Sequence, residues 1–442
     1  MNERKKVGII SLGCDKNRVD SEKLLARAQE KYEITADIEQ AQIIVVNTCA
    51  FLESARKEAI ETIIECNEYR KFGKLEKLIV TGCLPQRFIE ELYQPLTEAD
   101  AFLGTYDYDL FNQVVERCYK GERVNAVKQG TNENTLQRKV TTPLHYAYLK
   151  IADGCNNRCT YCLIPSIRGK YTSTPIEELV AEAENLGEVA ELILVAQDVT
   201  RYGTDLYGKA TLCELIKKLS ALETVQSIRL LYCYPDMIDN ELIEQLITND
   251  KLIKYLDIPL QHASSPVLKR MNRKGTYESY VSLITTLKER VPNIALRTTF
   301  MAGFPGETQE DFETLKEFIK KAEFYNAGFF AYSREEGTPS YKLPNQVDEK
   351  VKKQRVKELY SIQRQISKSN LSAYKGKVIE VVCDGIDYDR QCFVGRAYFQ
   401  APEIDGKIYF TAGNEDEVIS QGEKYQVKIT RNNSYDLFGR TV

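Results

Sequence analysis

The chain has 442 residues, 43% of them apolar and 28% charged, enough to build a large buried core and unlike a disordered or fibrous sequence. Sixty basic and 64 acidic residues leave a net charge of -4, which excludes a chain that holds nucleic acid by bulk positive charge. Twelve cysteines, two histidines and no tryptophan narrow the chemistry further. No run of eighteen apolar residues is present, and Met1-Asn-Glu-Arg-Lys-Lys6 leads into a strand-like stretch and not a signal core. A cytoplasmic protein is expected, in which clustered thiols serve metals or catalysis and not disulfides.

Three short apolar runs, Lys6 to Leu12, Gln42 to Val46 and Leu75 to Val80, read as strands buried on both faces. Helical patterns from Asp20 to Lys31 and from Glu53 to Tyr69 separate them, so βαβ units and an open parallel sheet are expected over residues 1–127. Residues 128–143 are polar, without apolar periodicity, and read as a linker. From 144 to 370, strand candidates near Tyr146, Leu192, Ile228, Tyr255, Ile294 and Gly328 alternate with helices, for example Pro175 to Leu186 with Thr174 as cap. Six β/α units without a closing pair predict a partial barrel. A charged helix from Asp348 leads to residues 371–442, where Lys377 to Cys383, Lys407 to Thr411 and Tyr425 to Thr430 alternate like strands of a small antiparallel β-barrel. The fold class is therefore α/β with a β-rich tail.

The sharpest chemical signal is Gly154-Cys155-Asn-Asn-Arg-Cys159-Thr-Tyr-Cys162, just after the first central strand. A structural zinc site wants four ligands, and no second pair lies nearby in sequence. Three thiolates on a four-iron cluster leave one iron open to a small molecule. A second signal is geometric: Cys14, Cys49 and Cys83 each follow one of the N-terminal strands. Carboxyl ends of parallel strands share one edge, so these thiols should converge, with Gly13 and Gly82 giving room for a bulky group. The alternatives are incidental buried cysteines, the role assigned to the other six, Cys66, Cys118, Cys213, Cys233, Cys383 and Cys392. Neither His145 nor His262 has a partner recognisable as a hydrolase triad.

The C-x3-C-x2-C spacing resembles the hallmark of the radical S-adenosylmethionine superfamily. Together with Cys14, Cys49, Cys83 and the β-rich tail, it is similar over essentially the whole chain to the methylthiotransferase family. Ser11 to Glu22, Asn47 to Ser54, Thr81 to Gln86 and Ala401 to Gly406 look like the branch that modifies an aspartate of ribosomal protein S-twelve. The transfer-RNA branch typically continues Gln-Met-Asn after its first cysteine, where this chain has Asp15-Lys16-Asn17.

That resemblance implies two [4Fe-4S] clusters, one on Cys155, Cys159 and Cys162 and one on Cys14, Cys49 and Cys83. It also implies S-adenosylmethionine cleaved to a 5′-deoxyadenosyl radical, an external electron donor, and a TRAM-type tail. Tyr161 is expected beside the adenine, with Gln197 and Arg297 at the barrel rim as further cofactor-binding residues. The tail carries 9 basic and 11 acidic residues and the stretch to Val140 has 21 and 23, each a balance of -2. An acidic tail suits a basic protein substrate and counts against direct RNA binding. Two other functions compete: a transfer-RNA adenosine methylthiotransferase, and an iron-sulfur electron-transfer or carrier protein, which would not need six β/α units.

Overall fold

The computed structural model describes residues 4–130, 137–414 and 416–442, so part of the expected linker lies outside the described residues. The chain forms two compact units. One comprises Met1–Thr142, Tyr148–Arg158 and Cys162–Leu186, and the other Pro143–Ala147, Cys159–Tyr161 and Gly187–Val442.

In the first unit, β1 (Lys6–Ser11), β2 (Glu33–Ile34), β3 (Ile43–Thr48), β4 (Lys77–Gly82), β5 (Ala101–Phe102) and β6 (Val124–Asn125) form one sheet in the order β2-β1-β3-β4-β5-β6. Every pairing in it is parallel. Alternation of side chains along β3 explains why its first four residues, Ile43 to Val46, are all apolar. Ile43 and Val45 pack on one face with Leu24, Ala28, Phe111 and Val115, while Ile44 and Val46 pack on the other with Ala59, Ile63 and Leu84. Cys66 and Cys118 are ordinary members of these two cores. The three long strands end in step, Ser11 opposite Asn47 and Asn47 opposite Thr81, so their carboxyl ends share one edge.

The first helix starts at Asp15, five residues before the apolar pattern begins, because Cys14 itself is its N-cap. A helix missing from the sequence reading, Cys83–Leu92, begins immediately after β4. The rest of this unit includes a two-stranded ribbon, β8 (Ala152–Asp153) with β9 (Thr172–Ser173), and the helix Ile176–Asn185. Pro175, not Thr174, occupies that helix's N-cap.

All six expected central strands form. They are β7 (Tyr146–Lys150), β10 (Glu191–Val195), β11 (Ile228–Leu230), β12 (Leu252–Gln261), β13 (Ala295–Ala302) and β14 (Asn326–Ala331), in an open sheet ordered β14-β13-β12-β11-β10-β7. From β10 to β14 the pairings are parallel. The helix Glu349–Ser372, capped by Asp348, leads to a closed barrel of β15 (Val378–Asp387), β16 (Cys392–Arg396), β17 (Ile408–Thr411), β18 (Lys424–Asn432) and β19 (Leu437–Thr441). The barrel is not wholly antiparallel, since β17 and β19 pair parallel. The chain passes through β18 between them, which gives the long crossover a parallel pairing needs.

Candidate active site

The ends of β1, β3 and β4 bring Cys14, Cys49 and Cys83 together. The three thiols act on one another electrostatically: Cys14 adds to the rise of Cys49, and both add to that of Cys83. Burial is the larger cause. It raises Cys49 and pushes the Cys83 thiol up to about 11, with Arg168 opposing the shift at both. Two glycines make the approach possible. At Gly13 (φ +101°) a Cβ would stand 2.9 Å from the Cys49 Cβ. At Gly82 (φ +97°) it would lie 2.3 Å from Asn47 Oδ1 and 2.6 Å from the Thr48 carbonyl. Cys14 is the N-cap of one helix and Cys83 the first residue of another, so both stand at the positive end of a helix.

Asn17, which motif spacing did not single out, ties the edge together. Its Nδ2 donates to the Leu12 and Thr48 carbonyls, each at 3.1 Å, and the Cys14 thiol donates to its Oδ1 at 3.7 Å. The Thr48 hydroxyl donates to the Thr81 carbonyl at 2.6 Å and accepts the Leu84 N–H at 3.3 Å, linking the second and third cysteine turns. Arg168 was also missed. It is 2% exposed, and its guanidinium donates to Asp20 at 2.6 Å, Asp153 at 3.1 Å and Asn17 at 2.8 Å. A cleft of about 650 Å³ is lined in part by Asp20, Thr105, Tyr106, Lys150, Asp153 and Arg168.

The Cys155 turn is set by Gly154 (φ +73°), whose missing Cβ would stand 2.2 Å from the Lys170 carbonyl. The Cys155 N–H donates to the Gly169 carbonyl at 3.2 Å. Backbone N–H groups of Asn157 and Ile164 donate to the sulfurs of Cys155 and Cys162, each at 3.4 Å, a pattern that favours thiolate. In the second unit, Cys159 lies 3.9 Å from the Tyr234 hydroxyl, and Arg273 stacks 4.2 Å over the Tyr234 ring. Tyr161 packs against Val267, Met271, Phe304 and Tyr332, and Arg273 donates to its hydroxyl at 3.4 Å.

Gln197 sits half-buried just past the end of β10. Arg297 is engaged elsewhere: it donates to Asp257 at 2.9 Å and to Asp405 of the tail at 3.3 Å, and these carboxylates hold it charged despite burial. His262 is fully buried beside Glu307 at 3.6 Å, and His145 bonds Asp384 at 2.8 Å.

Among the described residues, no three Cys, His, Asp or Glu side chains are close enough to grip a single metal ion. A four-iron cluster asks something different, because each thiolate bonds its own iron. An edge offering three thiols, N–H donors and glycine-cleared space matches that demand.

An open parallel sheet with three cysteines after its first strand defines the radical S-adenosylmethionine class. The family model described as Radical SAM superfamily matches residues 149–319. Uncharacterized protein family UPF0004 matches 6–104, and a TRAM domain matches 376–442. A ribosomal protein uS12 methylthiotransferase RimO from Lachnoclostridium phytofermentans is 47% identical, covering 98% of this chain and 99% of its own. Proteins of the same name from Clostridium tetani and a Thermoanaerobacter species are each 46% identical, over 98% of this chain and 97% and 99% of theirs. Among solved structures, the radical S-adenosylmethionine methyltransferase TsrM from Kitasatospora setae shares the fold, with a TM-score of 0.57 and 14% identity over 76% of this chain and 77% of that one. The chain belongs to the RimO family of radical S-adenosylmethionine methylthiotransferases, enzymes that take an iron-sulfur cluster and S-adenosylmethionine.

Proposed function

We propose that the chain replaces a C–H hydrogen with a methylthio group on an aspartate of ribosomal protein uS12, the S-twelve protein, in the cytoplasm, and that it does so with two [4Fe-4S] clusters. The observation that carries the two-cluster reading is the convergence of Cys14, Cys49 and Cys83 at one sheet edge, apart in sequence from Cys155, Cys159 and Cys162. When bound, the clusters and S-adenosylmethionine supply the one-electron chemistry that activates a C–H bond, with electrons from an external donor.

The chain's own residues do the positioning. Cys155, Cys159 and Cys162 hold one cluster and leave its fourth iron for the cofactor. Tyr161 offers an aromatic wall for the adenine, and Gln197 a polar group at the rim of β10. Arg297 is assigned a supporting part, since Asp257 and Asp405 already use its donors. The balance of 9 basic and 11 acidic residues from 371 to 442 supports docking of a basic protein over RNA.

The deciding measurement is the mass of uS12 from cells with and without the chain, which should differ by one methylthio group. A change in transfer RNA with an unaltered uS12 mass would refute the protein substrate. Cys155→Ala should abolish cofactor cleavage, whereas Cys49→Ala should leave cleavage intact and stop sulfur insertion. Loss of cleavage in a folded Cys49→Ala protein that keeps the first cluster would rule out separate roles.

A further inference from the structure

Burying a guanidinium is costly unless its charge and its donors are answered, so the partners of Arg168 show what it is for. On one side stand Asp20 and Asp153, which also bind Lys150 at 2.5 and 3.0 Å. Two carboxylates and two cations cancel there. On the other side its positive charge bears on both Cys83 and Cys49. Its third contact, Asn17, holds the backbone just before Cys14 and Cys49 and accepts from the Cys14 thiol. One buried cation thus reaches all three thiols, two through its own field and one through Asn17.

A cluster on three thiolates is anionic, and one-electron reduction adds another negative charge inside a region of low dielectric. A fixed cation beside the ligand sulfurs, tied to their turns through Asn17, stabilises the reduced form more than the oxidised one. We propose that Arg168 is a positioning residue of the N-terminal triad, holding its thiolates in register and raising the reduction potential of the cluster bound there. This rests on the two-cluster reading above.

The test uses full-length protein carrying Cys155→Ala, Cys159→Ala and Cys162→Ala, so that only the N-terminal cluster remains. After anaerobic reconstitution, iron and sulfide are counted and the cluster is titrated with dithionite while its electron-paramagnetic signal is followed. Arg168→Met should lower the potential, so that a smaller fraction is reduced at a fixed poise. Asp20→Asn, which removes an anion and leaves Arg168 in place, should raise it. Arg168→Lys should stay nearer the parent than Arg168→Met does. A merely structural role would move Arg168→Met and Asp20→Asn in the same direction, and that result, or no movement in either, overturns the proposal. If Arg168→Met holds no iron, the upward shift in Asp20→Asn still decides it. A parent without iron would refute the second cluster site itself.

Discussion

Glu191, the first residue of β10, is buried between Arg229 of β11 and Arg396 of β16. Its two oxygens accept from them at 2.5 and 2.7 Å. Burial opposes its charge, but the two guanidinium groups outweigh burial and hold the carboxyl at about 2 instead of about 4.5. That difference corresponds to about 3 kcal/mol of linked stability. Glu191→Gln would leave Arg229, 1% exposed at its side chain, with a neutral acceptor, and breaking a buried pair in this way costs about 3–5 kcal/mol. The two routes agree. A depressed carboxyl contributes its stability in full above its unfolded value and loses it as pH falls toward the folded one. The gap between parent and Glu191→Gln should therefore be constant above about pH 5.5 and shrink by about 1 kcal/mol by about pH 3.5. Hydrogen exchange of the β10 and β16 amides under increasing urea reads this locally, with a midpoint shift on the order of 1 M near neutrality. A gap under about 0.5 kcal/mol, or one indifferent to pH, would show that the network is not a clamp.

Gly82→Ala must relieve a 2.3 Å contact and a left-handed φ, at about 1–3 kcal/mol, and it should lower iron at the N-terminal triad while sparing cofactor cleavage. Full iron retention would mean that the turn tolerates a side chain. Removing residues from Leu371 onward strips Arg396 from Glu191, and Asp405 from Tyr255 and Arg297. Exchange in β10 and β12 should then accelerate, and unchanged exchange would show those pairs to be idle.

The strands around the site were legible because apolar runs such as Ile43 to Val46 have one interpretation when both faces are covered. The convergence of Cys14, Cys49 and Cys83 followed from parallel topology alone. Polar residues near the thiols were not legible. In the helix Asp15–Gln29 the buried set includes Lys16, Asn17, Asp20, Ser21, Glu22 and Lys23, whereas periodicity reads polar positions as solvent-facing. Their partners are distant in sequence: Arg138 lies 2.7 Å from Glu22, and Arg168 reaches Asp20. Nothing within a local window announces such pairs. For Arg297, position on a strand did not reveal that Asp405, more than a hundred residues on, would engage it. The tail's parallel β17–β19 pairing was hidden for a related reason, because strand spacing fixes neighbours in sequence and not closure of the barrel.

So much buried charge beside the N-terminal triad is poorly explained by stability. Buried ion networks often contribute no more than well-packed apolar groups of the same volume, and replacing them whole can even stabilise a fold. Asp20, Lys150, Asp153 and Arg168 are therefore better understood as a device that keeps one cation fixed toward the thiols and balances it on the far side. The consequence can be separated from folding. Replacing all four by apolar residues of similar size should leave thermal stability within a few degrees of the parent or above it, while iron retention at Cys14, Cys49 and Cys83 falls. A protein so altered that unfolded many degrees lower, yet kept its iron whenever folded, would reverse the assignment and make the network a structural prop.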